Sequence, residues 1–393
     1  MAYDKPNYFG GPTTNVRRLL PALHQRGHEV HALIFFHEDS PTSRYLASKG
    51  VHCHALPKPR YIETRIEWIL KRLIDIDPDI FVPNVFVSGW YAARWAQSVG
   101  IPSIAAHRSD EAYYWGMVER FIVGSSPWRI SGLLCVNNHL KSRVEALGAN
   151  KTKIRVIPSG VPIPAKVSSQ SSPLKVVYVG RLVQKQKRIH ETLEALLKVT
   201  KLLPDVTITF IGDGVERDSL ERKTQSKGLT QRIKFIGAIP SEKLAEELIN
   251  HHVLVLLSDY EGTPGAVMDA MACGLVPVCM DIKGGVQDLI QQGITGFLVK
   301  DRSDDFLETI QRLSANSHLR EKIALAAKQH IVDSYSVTVM TDKWESFFEE
   351  MLEDSSSHTS IKLPARYDLL PVHPSLSLQD RRLPWWRRVF SFL

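Results

Sequence analysis

The chain has 393 residues, of which 44% are hydrophobic and 23% are charged, so a disordered protein is excluded and two domains are more natural than one. It contains no run of about 18 apolar residues and no basic-then-apolar N-terminus, so neither a membrane-spanning helix nor a signal peptide is expected. Its four cysteines form no CxxC pair, which disfavours a zinc site or a disulfide framework and fits a reducing, cytoplasmic compartment.

The first half of the chain alternates between helix-like and strand-like segments. Only nine residues precede the turn Gly10-Gly11-Pro12, so the first strand of this half is expected to be truncated or missing, and the true start could lie upstream. Helices are predicted at residues 15–25, 62–74 and 91–99, and strands at residues 30–36, 80–85 and 103–106. Strands that alternate with helices imply a parallel sheet.

Two features of this half have competing interpretations. His52 and His54 flank Cys53 and resemble a metal cluster, but strand alternation places both on one face without an acidic partner, so we interpret them as structural. Residues 60–73 place aliphatic side chains on one helical face, with Trp68 and basic residues nearby. This pattern fits a helix at a membrane interface and equally a helix facing the core.

The second half repeats the alternation after a short polar segment. Residues 166–172 are typical of a linker, which separates a domain of residues 1–165 from one of residues 173–336. Strands are predicted at residues 176–179, 207–211, 234–236, 253–257 and 276–279. The fold class is therefore α/β with two doubly wound domains. A helix is predicted at 337–352, and it is followed by a basic tail, 353–393. The tail is expected to be extended or disordered up to residue 382.

The segment from Ser258 to Gly274 has the most specific chemical pattern. Glu261 and Asp269 flank the start of a predicted helix that follows a strand. Backbone amides at the positive end of a helix dipole suit a phosphate or a sugar hydroxyl, so we expect an anion site here. Two acids near a helix start are also common as simple capping residues, which is the competing interpretation.

This segment resembles the retaining GT-B glycosyltransferases of family 4. Their signature is an acidic pair with seven residues between, then Ala-Met-Ala and Gly-x-Pro-Val; here Glu261 and Asp269 are followed by Ala-Met-Ala at 270–272 and Gly-Leu-Val-Pro-Val at 274–278. The resemblance runs from about residue 8 to residue 352. It implies two Rossmann-like domains facing a central cleft, with the C-terminal helix crossing back to the N-terminal domain.

The resemblance implies a donor site in the second domain. Glu261 would be catalytic, in contact with the donor sugar near its anomeric centre, and Asp269 would bond to the ribose hydroxyls. Asp269 departs from the family, which usually has Glu there, and this puts donor affinity in doubt. The remaining donor-binding residues would be Arg181, Lys187, Gly262, Thr263, Pro264 and Gly265.

The family's Arg and Lys at these positions clamp the diphosphate of the donor. Two fixed cations can neutralise the leaving group, so no metal and no cofactor is expected, and the donor would be a UDP-sugar or a GDP-sugar. A basic pair after a strand can also be a solvated surface. Gly212-Asp213-Gly214 does not complete a dinucleotide fingerprint, because Arg217 stands where glycine is required, and we place the base near residues 236–240.

In the first half, the resemblance places Gly10 and Gly11 against the donor phosphate and the acceptor, where the absence of a Cβ allows close backbone approach. It makes His107, at the end of a predicted strand, a catalytic residue beside the reacting bond, and strand ends in open α/β sheets do face ligands. A plain turn and a core-capping histidine are the competing interpretations.

The net charge of +7 is concentrated in the tail. Trp385, Trp386, Arg387 and Arg388 together fit the headgroup region of an anionic membrane, although docking onto the protein itself is the alternative. Base-stacking motifs do not accompany the basic residues, so nucleic acid is not an expected partner.

These features predict a retaining glycosyltransferase that moves a sugar from a nucleotide diphosphate sugar to a glycan or lipid-linked acceptor without a metal. We expect it in the cytoplasm or peripherally attached to the inner face of the membrane. One alternative is a GT-B sugar-nucleotide epimerase or phosphorylase, which would use the same type of cleft. The other is a catalytically weak membrane-surface binding module, suggested by Asp269, the missing first strand and the aromatic tail.

Overall fold

The computed structural model describes residues 1–4, 11–124, 127–149, 152–353 and 358–384. It divides into two compact units, Met1–Pro158 with Met340–Leu393, and Ser159–Val339. Gly10 and the predicted membrane-binding residues 385–388 lie outside the described residues.

The first unit is built from parallel strands in two sheets. Its described strands are β1 (Ala2–Asp4), β2 (His31–Phe36), β3 (His52–Pro57), β4 (Phe81–Asn84), β5 (Ser103–His107), β6 (Gly132–Cys135) and β7 (Lys153–Val156). Its helices are α1 (Gly11–Gln25), α2 (Pro41–Ala47), α3 (Ile62–Ile76), α4 (Val87–Ser98), α5 (Ala112–Val118), with a π-helical turn at Glu119–Val123, and α6 (Asn138–Ala146). The sheet orders are β1-β2-β3 and β4-β5-β6-β7. The first strand is thus short but present, because β1 pairs with β2 over three residues.

The aliphatic face of α3 lies in the core of this unit. The side chains concerned are at most 3% exposed: Ile62, Ile66, Ile69, Leu70 and Leu73. This burial decides between the two interpretations of the helix in favour of the core. Among the helices that the structure describes, none is both long and apolar enough to cross a membrane.

The second unit contains a six-stranded parallel sheet. Its strands are β8 (Lys175–Val179), β9 (Thr207–Ile211), β10 (Ile233–Gly237), β11 (Val253–Leu256), β12 (Val276–Met280) and β13 (Phe297–Val299). Its helices are α7 (Gln184–Lys187), α8 (Ile189–Leu202), α9 (Arg217–Ser226), α10 (Leu244–Leu248), α11 (Gly265–Ala272), α12 (Gly285–Leu289), α13 (Asp304–Ala315) and α14 (Ser317–Tyr335).

The order of this sheet, β10-β9-β8-β11-β12-β13, is that of a doubly wound domain. Its strands are continuous apolar runs because both faces are buried: Val176 and Tyr178 pack into one core, and Val177 between them packs into another. The winding direction reverses between β8 and β11. Open α/β sheets bind ligands at the carboxyl ends of the strands at this switch point, so the loops after β8 and β11 are the expected site.

The predicted linker packs against the second unit. The Ser168 amide donates to the Cys273 carbonyl at 2.8 Å, and the Arg320 guanidinium donates to the carbonyls of Gln170 (3.0 Å) and Ser171 (2.8 Å). The division between the units falls at Pro158 and Ser159, earlier than the expected boundary at residue 165.

The last long helix, α15 (Val337–Glu353), belongs to the first unit from Met340 onward. Its buried face repeats at helical spacing and consists of Met340, Trp344, Phe347 and Met351. Arg26 pairs with Asp342 at 2.7 Å, and Arg155 pairs with Glu350 at 2.6 Å. The predicted return of the C-terminal helix to the N-terminal domain is therefore confirmed.

Residues 358–384 pack against the first unit in an extended conformation, with one 3₁₀ turn at Pro374–Leu376. The Ile62 amide donates to the Arg381 carbonyl at 2.8 Å, and the Tyr91 hydroxyl lies 3.0 Å from the carboxylate of Asp380, which is 2% exposed. Of the two expectations for residues 353–382, extended or disordered, the described residues 358–382 show the extended one, because partners far away in sequence fix this segment.

Candidate active site

Lys187 and Glu261 form a nearly buried ion pair at the switch point of the second unit. Lys187 ends the short helix after β8, and Glu261 lies in the loop after β11. The Lys187 Nζ is 2.5 Å from Glu261 Oε1, and the two side chains are 12% and 8% exposed. Removing two charges from water is costly unless further hydrogen bonds hold them, so such a pair indicates a built site rather than a solvated surface.

Gln186 connects this ion pair to Arg181. Its Nε2 donates to the Tyr260 carbonyl at 3.0 Å and is 3.5 Å from Glu261 Oε2, while its Oε1 accepts from Arg181 Nη2 at 2.8 Å. The structure therefore brings Arg181, Lys187 and Glu261 together. The two cations outnumber the one carboxylate, which leaves a net positive charge suited to an anion.

A second set of contacts holds the two loops together. The Asp259 amide donates to the Gln186 carbonyl at 3.0 Å, and the Asp259 carboxylate pairs with Arg302. Arg302 also donates to the Leu257 carbonyl at 2.9 Å. The sequence pattern gives no role to Gln186, Asp259 or Arg302, because each contact joins segments that are distant in the chain.

Helix α11 begins directly after this loop, at Gly265. Pro264 precedes it, and within the described residues no side chain caps this helix N-terminus. Helix geometry leaves the amides of Gly265 and Ala266 without an acceptor inside the helix. A Cβ added to Gly265 would meet no atom of the described residues within 4 Å, so there is open space beside the first residue of the helix. Asp269 lies one turn later on the same helical face. Capping therefore does not explain Glu261, whose carboxylate is bound by Lys187.

The loop of Gly284 and Gly285 supports the Glu261 segment from its other side. The Gly285 amide donates to the Gly262 carbonyl at 2.8 Å. A Cβ on Gly285 would lie 2.0 Å from that carbonyl oxygen and 2.8 Å from the Thr263 hydroxyl, so only glycine fits. Sequence reasoning missed this second support; the Gly-Gly pair between a strand and a helix is the signal that could have indicated it.

In the first unit, His107 ends β5 and has no exposed surface. Its ring packs edge-on against Trp115 (4.5 Å between centroids) and Tyr114 (5.8 Å). Within the described part of the chain neither ring nitrogen has a hydrogen-bond partner, which is unusual for buried polar atoms. Burial lowers the pKa of His107 to about 4, so the imidazole is neutral at pH 7. Contact with a substrate requires the covering aromatic rings to move.

The aromatic cover of His107 is held by charged groups. The Trp115 Nε1 donates to Asp110 Oδ1 at 2.6 Å, and the Arg143 guanidinium pairs with Asp110 and lies 4.2 Å from the centre of the Trp115 ring. Cation–π contact and a charged hydrogen bond thus fix Trp115. Arg143 is a residue that the sequence pattern does not single out.

Arg108, beside His107, connects the ends of three elements. It donates to Asn84 Oδ1 (3.2 Å) at the end of β4 and to Asn15 Oδ1 (3.1 Å) on α1. Burial lowers the pKa of Arg108 to about 10, so it remains charged at pH 7. Asn15 lies one turn after Gly11, where an added Cβ would meet no atom of the described residues within 4 Å. Gly11 therefore lies at a helix start that Asn15 anchors.

Acidification is expected to destabilise the first unit through His107. Its folded pKa of about 4 lies below the 6.5 of the free side chain, so between these values the unfolded chain binds the extra proton and stability falls as pH falls. The stability advantage of wild type over His107→Asn, measured by urea unfolding, should shrink by about 2 kcal/mol from pH 7 to pH 5. The pKa of His252 in the second unit is also lowered to about 4, so the difference between the two proteins is the decisive quantity. A constant difference would contradict the prediction.

Two α/β units with parallel sheets, the second doubly wound with paired charges at its switch point, are the architecture of a GT-B protein. The family described as Glycosyl transferases group 1 matches residues 162–330, and that described as Glycosyltransferase Family 4 matches residues 9–163. Together the two matches extend from residue 9 to residue 330, and the chain belongs to the glycosyltransferases that these two family models describe.

Individual relatives are similar over different lengths. Lipopolysaccharide 1,6-galactosyltransferase of Salmonella typhimurium is 26% identical over 187 residues, which are 46% of this chain and 51% of that protein. The sulfoquinovosyl transferase SQD2 of Arabidopsis thaliana is 24% identical over 373 residues, 86% of this chain and 70% of that one. The chain spans about half or less of the length of several curated relatives that it matches.

Solved structures share the fold over nearly the whole chain. Anabaena HepE in complex with UDP-glucose has a TM-score of 0.70 at 17% identity, covering 89% of this chain and 98% of that one. The lipopolysaccharide outer core galactosyltransferase WaaB, in its apo form, has a TM-score of 0.65 at 18% identity, covering 89% and 99%. The GT-B fold predicted from sequence is therefore confirmed.

Proposed function

We propose that this protein is a retaining glycosyltransferase that transfers a sugar from a nucleotide diphosphate sugar to a glycan or lipid-linked acceptor, without a metal. The observation that supports this most is the nearly buried Lys187–Glu261 pair, linked through Gln186 to Arg181, at the switch point of the second unit. A positively charged group at this place suits a diphosphate.

The cations would act on the leaving group. As the bond to the sugar breaks, negative charge grows on the diphosphate, and Arg181 and Lys187 are fixed where they would stabilise it. The amides at the start of α11 would add donors for the sugar and the diphosphate. Charge stabilisation of this kind needs no Lewis acid, and we propose that none is used.

Glu261 would orient the sugar and stabilise positive charge at its anomeric centre. Its carboxylate is bound by Lys187, which lowers its reactivity as a nucleophile. We therefore propose front-face attack, in which a departing phosphate oxygen takes the acceptor's proton and the configuration is retained. Asp269 would bond to the ribose, and residues 236–240 would lie near the base. The roles proposed for Gly10, Gly11 and His107 rest on the family resemblance.

Uridine is the nucleotide to test first. Anabaena HepE has been solved with UDP, with UDP and glucose, and with UDP-glucose, and its fold matches this chain. The Salmonella relative is named for lipopolysaccharide, which supports a glycan acceptor. Attachment to an anionic membrane through residues 385–388 stays a prediction.

A thermal-shift panel of UDP-, GDP- and ADP-sugars tests the proposal. One nucleotide-sugar class should raise the melting temperature. At a ligand concentration of a hundred times Kd, binding stabilises the folded protein by about 2.7 kcal/mol. With that donor and an extract that contains acceptors, product should form at equal rates in the presence of Mg²⁺ and in the presence of EDTA. The NMR signal of the anomeric proton should show that the product keeps the anomeric configuration of the donor.

Three outcomes would contradict this proposal. Conversion of the donor without any acceptor would favour an epimerase, and sugar release that requires inorganic phosphate would favour a phosphorylase. A folded protein that no nucleotide stabilises would favour a surface-binding module.

A further inference from the structure

Three histidines gather at the amino ends of β2 and β3 in the first unit. His31 and His52 are register partners on these neighbouring parallel strands, and His54 follows on the same face. The His31 ring stacks with that of His52 (4.8 Å between centroids) and with that of His54 (5.4 Å). Stacking of neutral imidazoles alone would contribute little stability, so the groups around the cluster indicate why the three histidines lie together.

An acidic group completes the cluster. Glu29 Oε1 lies 3.0 Å from His31 Nε2, and on the other side of that ring Nδ1 lies 3.1 Å from His54 Nε2. Ligand atoms of Glu29, His31 and His52 all lie within 4.8 Å of one another. The expectation that these histidines lack an acidic partner is therefore wrong, because Glu29 precedes a different strand from the one that bears His52.

We propose that Glu29, His31 and His52 bind one Zn²⁺ ion, with His54 as a positioning residue. Imidazole nitrogen and carboxylate oxygen are ligands that zinc prefers, and a water would complete four-coordination. Zinc ligands in a tetrahedron are about 3.3 Å apart, given bonds of about 2.0–2.1 Å. The side chain of Glu29 is 78% exposed, and His52 is also exposed, so rotation of these two can close the remaining distance.

The hydrogen bonds of His31 fit a metal ligand. With its Nδ1–H donated to His54 Nε2, the neutral imidazole has its lone pair on Nε2, facing Glu29. In the other neutral tautomer Nε2–H donates to Glu29 and Nδ1 accepts from His54, so zinc binding would select the first tautomer, in which Nε2 and the carboxylate can both bind the ion. Metal-bound histidines commonly donate the other ring N–H in this way, which fixes the ring and its tautomer.

The position of the cluster places the metal away from the ligand-binding edge of the sheet. In parallel strands the ligand-binding edge is the carboxyl end, and His31 and His52 are the first residues of β2 and β3. Zinc here would tie the starts of the two strands together. Arg72 and Asp75 on α3 are the nearest charged neighbours of His54, and they pair with each other at 2.7 Å, so their charges offset.

Zinc binding should be measured on the full chain without a polyhistidine tag. After EDTA treatment and desalting, titration calorimetry with ZnCl₂ should show about one equivalent bound, and Co²⁺ should give the visible absorption of a tetrahedral site. His31→Ala, His52→Ala and Glu29→Gln should each abolish the Co²⁺ band. His54→Ala should weaken Zn²⁺ affinity by about 10–100-fold, because it removes only the second contact of His31.

His318→Ala is the matched control, since His318 is an exposed histidine 4.0 Å from Glu321. It should leave zinc binding unchanged. Circular dichroism of the metal-free proteins separates ligand loss from misfolding, and Glu29 and His52 can be replaced without creating a cavity because they are exposed. The proposal is overturned if wild type binds no zinc in the titration, or if His52→Ala and Glu29→Gln bind as much as wild type.

Discussion

Lys187→Met and Glu261→Gln should each lower kcat for sugar transfer by about 10²–10³-fold, because each removes a preorganised charge from the reacting centre. Met and Gln keep the approximate length of the original side chains, so the change is chiefly in charge. Steady-state rates with the donor identified by thermal shift, at saturating acceptor, measure the effect.

The same two substitutions should also destabilise the second unit. Each leaves the partner's charge nearly buried and unpaired, and breaking such a pair costs about 3–5 kcal/mol. The double variant removes both charges and should recover most of that stability in urea unfolding. Its transfer rate should remain at the level of the single variants, because the lost charges are those that act on the leaving group and the sugar.

Lys71→Met is the matched control. Lys71 and Glu67 form an ion pair of similar length, 2.7 Å, but their side chains are 50% and 44% exposed. Such surface pairs contribute about 0–1 kcal/mol, so stability and kcat should hardly change. Recovery of transfer together with stability in the Lys187→Met, Glu261→Gln double variant would show that the pair is only structural and would refute the proposed site.

The strands of this protein follow closely from local sequence. The strand at residues 207–211 has the predicted bounds, and the strand at 103–107 differs by one residue. Apolar runs bounded by polar turns suffice for this, since both faces of the sheet are buried. The start of α1 was predicted four residues too late, because Pro12 suggests a turn, although proline is well tolerated in the first turn of a helix.

Local sequence patterns do not reveal contacts between segments that are distant in the chain. Lys187 and Glu261 are 74 residues apart, and the resemblance identifies both residues but not their ion pair. Tyr91 and Asp380 are 289 residues apart, so the tail looked free of partners. Glu29 and His31 are two residues apart in sequence, but His52 is 21 residues after His31, and only the register of β2 on β3 brings it near.

Gly285→Ala should lower kcat/KM for the donor by about 10²-fold, the effect expected when a catalytic loop is displaced by about 1 Å. The new methyl would lie 2.0 Å from the Gly262 carbonyl oxygen, and a backbone atom cannot rotate away as a side chain can. The loop that contains Gly262 and Thr263 must therefore shift, and with it the start of α11. Overpacking of this kind also costs about 1–3 kcal/mol of stability.

Gly265→Ala distinguishes this steric effect from a general intolerance of alanine in the region. A methyl at Gly265 meets none of the described residues within 4 Å, and alanine favours a helix over glycine by up to about 1 kcal/mol. Its urea midpoint should therefore equal or exceed that of wild type, while that of Gly285→Ala falls. A Gly285→Ala protein with wild-type kcat/KM and midpoint would mean that the loop accommodates the methyl, and that the position of Gly262 does not depend on this glycine.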